Sequence, residues 1–446
     1  MKKRIVCLVF AVIFSLAFVL GCTPKEEIVP NNPSMPAEGP SAMSDRDLVT
    51  YEAEKSFRFL WEQVQSSGDG YGLVRDRYPG SPDQSSVASV GFALAALPIA
   101  VKNAWVEEDV ARSRAEGTLK TFKNLKNYSG FYYHFYSMST ATPSSGSEVS
   151  VIDTALFLGG AITAGEFFGG NVKSLANELY ERVDWNFFTK TNANGSKQFY
   201  MGYNATTDTF SGAWDYYAEQ LIMYVLGAGA PKSEYRIDPR MMYDFARNKG
   251  TYGDGEPFIY SYFGSIFTYQ FSHAFVDFRD KVDENGVNWF ENSVNASIAA
   301  RQYCIDNADK YATYGENSWG LTACDSPSGY NGYLGGQPSG YRNESRQSEG
   351  TIAPAGALGS IVFTPEYSIA ALRHYYEFDE LRSRYGLRDA FNLANRNWYA
   401  EDVIGIDKGI TVLMAGNYIN DGIVWKYFMH NKNIQKAMDR LGFTEV

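Results

Sequence analysis

The chain has 446 residues, 45% hydrophobic and 20% charged, a globular composition with enough apolar residues for one large domain or two ordinary ones. A formal net charge of −11 argues against nucleic acid or an anionic polymer as ligand, since those need basic patches, and favours a neutral one. Aromatic residues make up 15%, a share that suits a large core and equally a polar cleft whose flat rings meet a ligand.

Lys2, Lys3 and Arg4 precede an apolar run from Ile5 to Leu20, too short and too early for a membrane span, so a targeting signal is predicted over 1–21. The run ends in Val19-Leu20-Gly21-Cys22, which resembles the lipobox of bacterial lipoproteins. That resemblance implies that Cys22 becomes the lipidated first residue; an ordinary secretory signal is the alternative. Lys25-Glu26-Glu27 is similar to export tags on some surface-exposed lipoproteins. The expected location is therefore the bacterial outer membrane, on its periplasmic or its outer face. Residues 22–44 are rich in Pro, Ser, Asn and Glu without apolar periodicity and are predicted to be a flexible tether. A single globular domain is expected over 45–446, as a monomer.

From Asp47 the pattern is helical. Asp47–Gln65 carries an apolar stripe, Val87–Val101 is apolar nearly all round, and Val106–Asn124 is charged and amphipathic. Ser147–Phe168 is again apolar, and Asn171–Phe187 amphipathic. Ser211 to Leu226 is predicted as a helix with Trp214, Asp215, Tyr216 and Glu219 in its first turns and a Gly/Pro stop at Gly227, Gly229 and Pro231. Further helices are expected near Pro239–Asn248, Val287–Asp306, Thr364–Phe378, Asp389–Ala394, Lys408–Tyr418 and Asn420–Leu441. Lys197–Tyr203 and Phe258–Tyr262 are short strand candidates. Apolar helices paired with amphipathic ones predict an all-α fold, an (α/α)6 barrel of inner and outer helices with short strands at one mouth. An irregular α-solenoid is the alternative, but no fixed-period repeat supports it. The polar and aromatic loops Ser67–Ser86, Ser139–Ser147, Gly250–Gly264 and Tyr311–Pro354 would gather at that mouth and build a site.

There is no Gly-rich phosphate loop and no Gly-x-Ser-x-Gly elbow. The four histidines lack metal-type spacing, so neither a metal nor a cofactor is expected. Cys304 and Cys324 remain in the domain, as a disulfide or as two buried thiols. Carboxylates carry the chemistry that is left. Cleaving a glycosidic bond takes one carboxyl held protonated and a second held ionised. Glu219 leads as a catalytic candidate, its pKa expected to rise through desolvation and the charge of Asp215, four residues away on the same helix face. Asp407 and Glu148 are candidate catalytic partners, Asp153 and Asp215 supporting residues; Glu219, Glu148 and Asp407 have a helix-capping role as their plainer reading. Asp76 and Asp325 are loop acids able to accept sugar hydroxyls. Trp214, Tyr216, Trp319 and Tyr330 are candidate stacking platforms, as are Trp61 and Trp425.

A family resemblance rests on Gly72-Leu73-Val74-Arg75-Asp76-Arg77, Tyr133-His134-Phe135, Ser147–Ala155 and Trp214–Pro231. It continues through Gln270–Arg279, Trp319–Asp325, Gly350–Pro354 and Gly405–Lys408-Gly409. Over nearly all of Leu48 to Phe443 the chain resembles the bacterial glucoamylase-like family, and within it is most similar to glycoside hydrolase family 144. The resemblance implies a hydrolase of β-1,2-glucan, an inverting reaction without a metal, and sophorose-type oligosaccharides as products. It also adds Arg77, Gln270 and His273 as substrate-binding candidates. Alternatives are an exo-acting sophorose-releasing or α-glucan hydrolase, a β-1,2-glucan transglycosylase, and a non-catalytic surface glycan-binding lipoprotein. Lys408 and Glu349 depart from the family pattern and bear on subsites.

Overall fold

The computed structural model describes residues 39–446, so the predicted signal over 1–21, Cys22 and most of the tether lie outside the described residues. The helices are α1 (Asp45–Glu62), α2 (Val87–Lys102), α3 (Glu108–Asn124), α4 (Val151–Phe168), α5 (Gly170–Glu181), α6 (Leu221–Gly229) and α7 (Trp289–Asp306). They continue with α8 (Glu344–Gln347), α9 (Pro354–Leu358), α10 (Pro365–Tyr375), α11 (Gly405–Ile419), α12 (Ile423–His430) and α13 (Lys432–Arg440). Between them run short two- and three-residue strands in antiparallel pairs and one three-stranded antiparallel sheet.

Helices apolar on every side must be covered on every side, which drives α2, α4 and α6 to the interior. α2 packs along α4 and against α11, α4 against α6, and α9 against α11. The remaining gap is filled by two 3-10 turns, Ile266–Tyr269 and Ser272–Ala274. On the α6 side the Ile222 amide donates to the Ser272 hydroxyl at 3.0 Å; on the α9 side the Gln270 amide group donates to the Gly356 carbonyl at 2.7 Å. The ring α2, α4, α6, the 266–274 turns, α9 and α11 thus closes with six staves, and Phe92 fills its centre against Phe271 and Phe275. α1, α3, α5, α7 and α10 form the outer layer. This is the expected (α/α)6 barrel, with one stave reduced to tight turns.

Several predicted elements differ. The helix expected from Ser211 begins only at Leu221, because residues 212–220 spend their backbone groups elsewhere. The Trp214 amide donates to the Phe199 carbonyl at 2.8 Å, the Ala246 amide to the Asp215 carbonyl at 2.8 Å, and the Gln220 side chain ties Ala218 to Tyr216. Asp215 and Glu219 therefore do not share a helix face. Residues 389–394 are extended, not helical: Phe391 and Ile352 exchange backbone hydrogen bonds. Pro239–Tyr243 is a 3-10 turn, and Asn420–Leu441 is two helices parted at Asn431, whose side chain caps α13. Cys304 and Cys324 are both buried and free.

The tightest seam joins α2 and α4. A Cβ at Gly160 would stand 1.9 Å from the Gly91 carbonyl oxygen, and one at Gly91 would stand 2.3 Å from that of Leu156, so only glycine permits this spacing. Gly160→Ala must push two staves apart. It should lower stability by about 2–3 kcal/mol, read as a fall in the thermal unfolding midpoint, while Gly315→Ala, where open space surrounds the position and the backbone is not left-handed, should have a far smaller effect.

Candidate active site

Inner staves begin at the same mouth. Ser86 and Ala88 at the start of α2, Ile152 and Asp153 in the first turn of α4, and Ile406 in the first turn of α11 all line one cleft of about 330 Å³. Asp76, Arg77, His134, Glu219 and Tyr330 complete its polar lining, and Phe267 and Phe271 its apolar floor. Helix N-termini carry partial positive charge, so this mouth favours the carboxylates that crowd it.

Glu219 stands just before α6, its carbonyl receiving the Ser272 hydroxyl. Burial pushes its carboxyl up to about 7, with the charge of Asp153 adding to the rise. At neutral pH it therefore holds a proton for much of the time. The expected contribution of Asp215 is absent: that residue is exposed, and its charge does not figure among the causes.

His134 lies between two carboxylates. Its Nδ1 is 2.9 Å from Glu148 Oε1 and its Nε2 is 3.6 Å from Asp153 Oδ1. Burial opposes the charged ring, but Asp153, Glu148 and Asp76 outweigh it and raise the imidazole to about 9. The imidazolium in turn holds Glu148 below the usual carboxylate range. Glu148 is thus ionised and engaged with His134, which removes it as a proton donor. Asp153 also accepts the Ser150 hydroxyl, so its capping role and its place in the cleft coincide.

Arg77 sits on the short strand Arg77–Tyr78, paired with Val403–Ile404. Its Nη1 donates to Asp325 at 3.0 and 3.1 Å and to Asp402 at 3.2 Å, with Asp76 3.8 Å from its Nε. Asp325 and Tyr330 face each other across the hairpin formed by Cys324–Ser326 and Gly329–Asn331, which carries Tyr330 to the cleft and Asp325 to Arg77. Burial and the like charges of Asp153 and Asp402 push Asp76 up, against Arg77 and His134.

Behind this wall lie Asp389 and Asp407. Asp389 accepts the Asp325 amide at 2.7 Å. Burial and the neighbouring Asp407 push Asp389 well above the carboxylate range, so it keeps its proton and donates to Asp407. Asp407 is pushed up to about 6 by burial, restrained by that hydrogen bond and by Lys408 and Arg77. The pair carries one negative charge at neutral pH. Lys408 points the other way, into a buried ion pair with Glu52 at 3.1 Å.

Besides Asp407 behind its wall, several expected site residues do not line the cleft. Gln270 is fully buried, bridging Gly356 and Ser360. His273 is buried, with its Nε2 3.0 Å from the Ser293 hydroxyl, and burial lowers it to about 3, so it is a neutral core residue. Trp319 and Trp214, 0% and 6% exposed, are core rings. Asp215 faces solvent. Trp61 and Trp425 are core as well. Tyr216 is partly exposed but packs edge-on against Tyr262 and tilted against Tyr260, outside the cleft. Three important residues had gone unassigned. His134 stood in a quoted motif and is one of only four histidines, a usable signal; Asp389 and Asp402 carry no pattern and are found only through their partners. Among the described residues no cluster of three or more His, Cys, Asp or Glu has the arrangement to hold a metal ion.

A family model described as "Putative glucoamylase" matches residues 211–432. The exo β-1,2-glucooligosaccharide sophorohydrolase (non-reducing end) of Parabacteroides distasonis is 26% identical over 448 residues, covering 90% of this chain and 58% of its own length. The chain thus spans less than two thirds of that relative. A solved "putative glucoamylase" from Bacteroides uniformis is 27% identical with a TM-score of 0.77, over 90% of this chain and 98% of its own. The endo-β-1,2-glucanase of Chitinophaga pinensis, solved with sophorotriose and glucose, superposes with a TM-score of 0.80 over 91% of this chain and 99% of its own; at 24% identity it attests the shared fold.

The His134 ion pairs predict a pH signature. A group whose folded pKa is raised to about 9 from an unfolded value of about 6.5 stabilises fully below the latter and loses that stabilisation as pH rises through about 9. The midpoint difference between wild type and His134→Gln should therefore be widest near pH 6 and shrink by pH 10, as scanning calorimetry across pH would record.

Proposed function

We infer that this chain, which belongs to the glucoamylase-like family, hydrolyses β-1,2-glucan to sophorose-type oligosaccharides with inversion at the anomeric carbon. The observation that carries the reading is Glu219, a carboxyl raised to about 7 by burial in a cleft it shares with Asp76, Asp153 and His134. Such a group can hand its proton to a leaving glycosidic oxygen at neutral pH, as glycoside cleavage requires. Substrate identity draws on the relatives named as acting on β-1,2-glucooligosaccharides.

The second group is Asp407. Acid and water-activating base must stand on opposite sides of the sugar ring. In the order of staves, Glu219 before α6 is diametrically across from Asp407 in α11, with the 266–274 turns and α9 between them on one side and α4 and α2 on the other. Asp153 is on the neighbouring stave and stands on the same side as Glu219. Asp407, ionised above about pH 6, would take the proton of the attacking water, while Asp389 steadies its charge. Arg77 holds Asp325, and His134 holds Glu148 and Asp153, in the positions that shape the sugar's surroundings. The exo-acting relative supports a second reading, release of sophorose from chain ends, and the product ladder from linear β-1,2-glucan separates the two. Anchoring through Cys22 in the outer membrane belongs to the same proposal, supported by Val19-Leu20-Gly21-Cys22.

Glu219→Gln should lower kcat by about 10²–10⁴. It should also raise the thermal midpoint at pH 8, because the buried carboxylate is penalised there: a folded pKa of about 7 above the unfolded value means stability falls as pH rises through that interval. Wild-type turnover should follow a narrow bell, falling below about 6 as Asp407 protonates and above about 7 as Glu219 ionises. Wild-type activity in Glu219→Gln would end the assignment. For the anchor, Cys22→Ser should leave the protein unlabelled by radioactive fatty acid and release it from the membrane fraction.

A further inference from the structure

Outside the cleft, the loops 258–264 and 330–342 display an aromatic strip. Tyr262 and Tyr333 are 44% and 38% exposed, and Tyr330 at the cleft wall is 54% exposed, a clustering of open rings that a core does not explain. Tyr333 contacts Phe263 at 5.1 Å and Tyr341 at 5.5 Å between ring centroids. Tyr262 contacts Phe263 at 5.0 Å, Tyr341 at 6.0 Å and Tyr216 at 5.5 Å. The strip begins where the cleft ends: Tyr330 and Tyr333 are joined by a length of chain of at most roughly 11 Å. Asn331 between them accepts the Tyr333 amide at 2.9 Å and holds the turn.

The rings are set in place. Tyr341 donates its amide to the Tyr262 carbonyl at 2.7 Å, and Gly340 donates to Ser261 at 3.3 Å, so the two loops are laced together. The Gln347 side chain donates to the Phe263 carbonyl at 2.6 Å and to the Ser339 hydroxyl at 2.8 Å. Gly340 is wedged so tightly that a Cβ would stand 2.9 Å from both the Tyr216 and the Tyr262 ring. A surface already ordered loses little entropy when it takes a ligand. Beside the rings the same loops form a groove of about 340 Å³ whose lining includes Lys249, Gln337, Ser339 and Arg342. Glu344 lines the same groove, so flat apolar faces stand next to hydrogen-bond donors and a carboxylate acceptor, which suits a pyranose chain with its C–H faces and hydroxyl rims; Tyr itself supplies both an apolar body and a polar tip.

We propose that this strip, Tyr333, Tyr341, Phe263 and Tyr262, is a distal binding site for the neutral glucan chain whose cleaved linkage occupies the cleft. Continuity through Tyr330 assigns it that occupant, and the proposal rests on the glucan reading above. Its consequence is a preference for long chains that the cleft alone would not confer.

The test compares wild type with Tyr262→Ala/Tyr333→Ala on linear β-1,2-glucan and on sophorotriose or the shortest oligosaccharide cleaved. The variant should raise KM for the polymer roughly tenfold and leave kcat and KM for the short substrate unchanged. Tyr333→Phe, which keeps the ring, should keep the polymer KM. An unchanged polymer KM, or an equal loss on both substrates, overturns the distal site while leaving the glucan reading standing. Wild type inert on both substrates overturns the glucan reading itself and the strip with it. If light scattering finds a concentration-dependent dimer that the double variant abolishes, the strip is a face for a second copy and the proposal fails.

Discussion

Arg77 is the charge on which the acidic mouth depends. Asp325 and Asp402 hydrogen-bond to it, Asp76 lies 3.8 Å away, and the Tyr330 ring lies 5.9 Å from its guanidinium. These residues come from separate parts of the chain, so one side chain fixes the hairpin, the strand before α11 and the first loop relative to each other. The carboxylates would otherwise repel, and removing one buried partner from such a cluster leaves its opposite unpaired. His134 does the same for Glu148 and Asp153 on the neighbouring wall. With those cations in place, Glu148 is held below the usual carboxylate range, while burial raises Glu219 to about 7.

The barrel supplies what the cations cannot, namely direction. Closing a ring of inner helices sets α2, α4 and α11 with their N-termini at the cleft. That alignment is possible only because α2 and α4 meet backbone to backbone at Gly91 and Gly160. The stave between α6 and α9 is shortened to tight turns, and it does two jobs at once. Gln270 ties it to α9, and Ser272 pins the Glu219 carbonyl, so the acid's position is set by the same contact that closes the ring. The residues of this stave are structural in their side chains and functional in their placement.

A division between the two sides of the cleft follows. On the Glu219 side, desolvation sets the chemistry; on the Asp407 side, a shared proton does. The aromatic strip begins at the hairpin that carries Asp325 and Tyr330, so the loop that shapes the cleft wall also leads away from it. Long polar loops on a rigid helical frame are where such variation is tolerated, because the core does not depend on their length.

The sequence by itself determined the helical class and the inner and outer layering, because a helix apolar all round has one stable place, and α2 and α4 show it in composition alone. It also singled out Glu219 and Asp153 as acids set among aromatic or apolar residues, Asp407 as an acid at the start of an inner helix, and Asp76 as a loop acid. Only tertiary structure decided which of them stand together in one cleft. The Asp215–Glu219 pair was argued from helical spacing, yet backbone bonds to Phe199 and Ala246 keep that stretch from being helical, and Asp153 replaces Asp215 as the neighbour. Gln270, His273, Trp214 and Trp319 lie in local patterns as suggestive as those of the cleft residues, but burial in a ring closed by distant segments makes them core. Asp389 and Asp402 gain their roles from partners outside their own segments, Asp407 and Asp325 for the first and Arg77 for the second, a relation no local pattern encodes. Spacing along the chain specifies which faces are apolar, whereas pKa values and charge pairing depend on who stands opposite, and that is settled only when the ring closes.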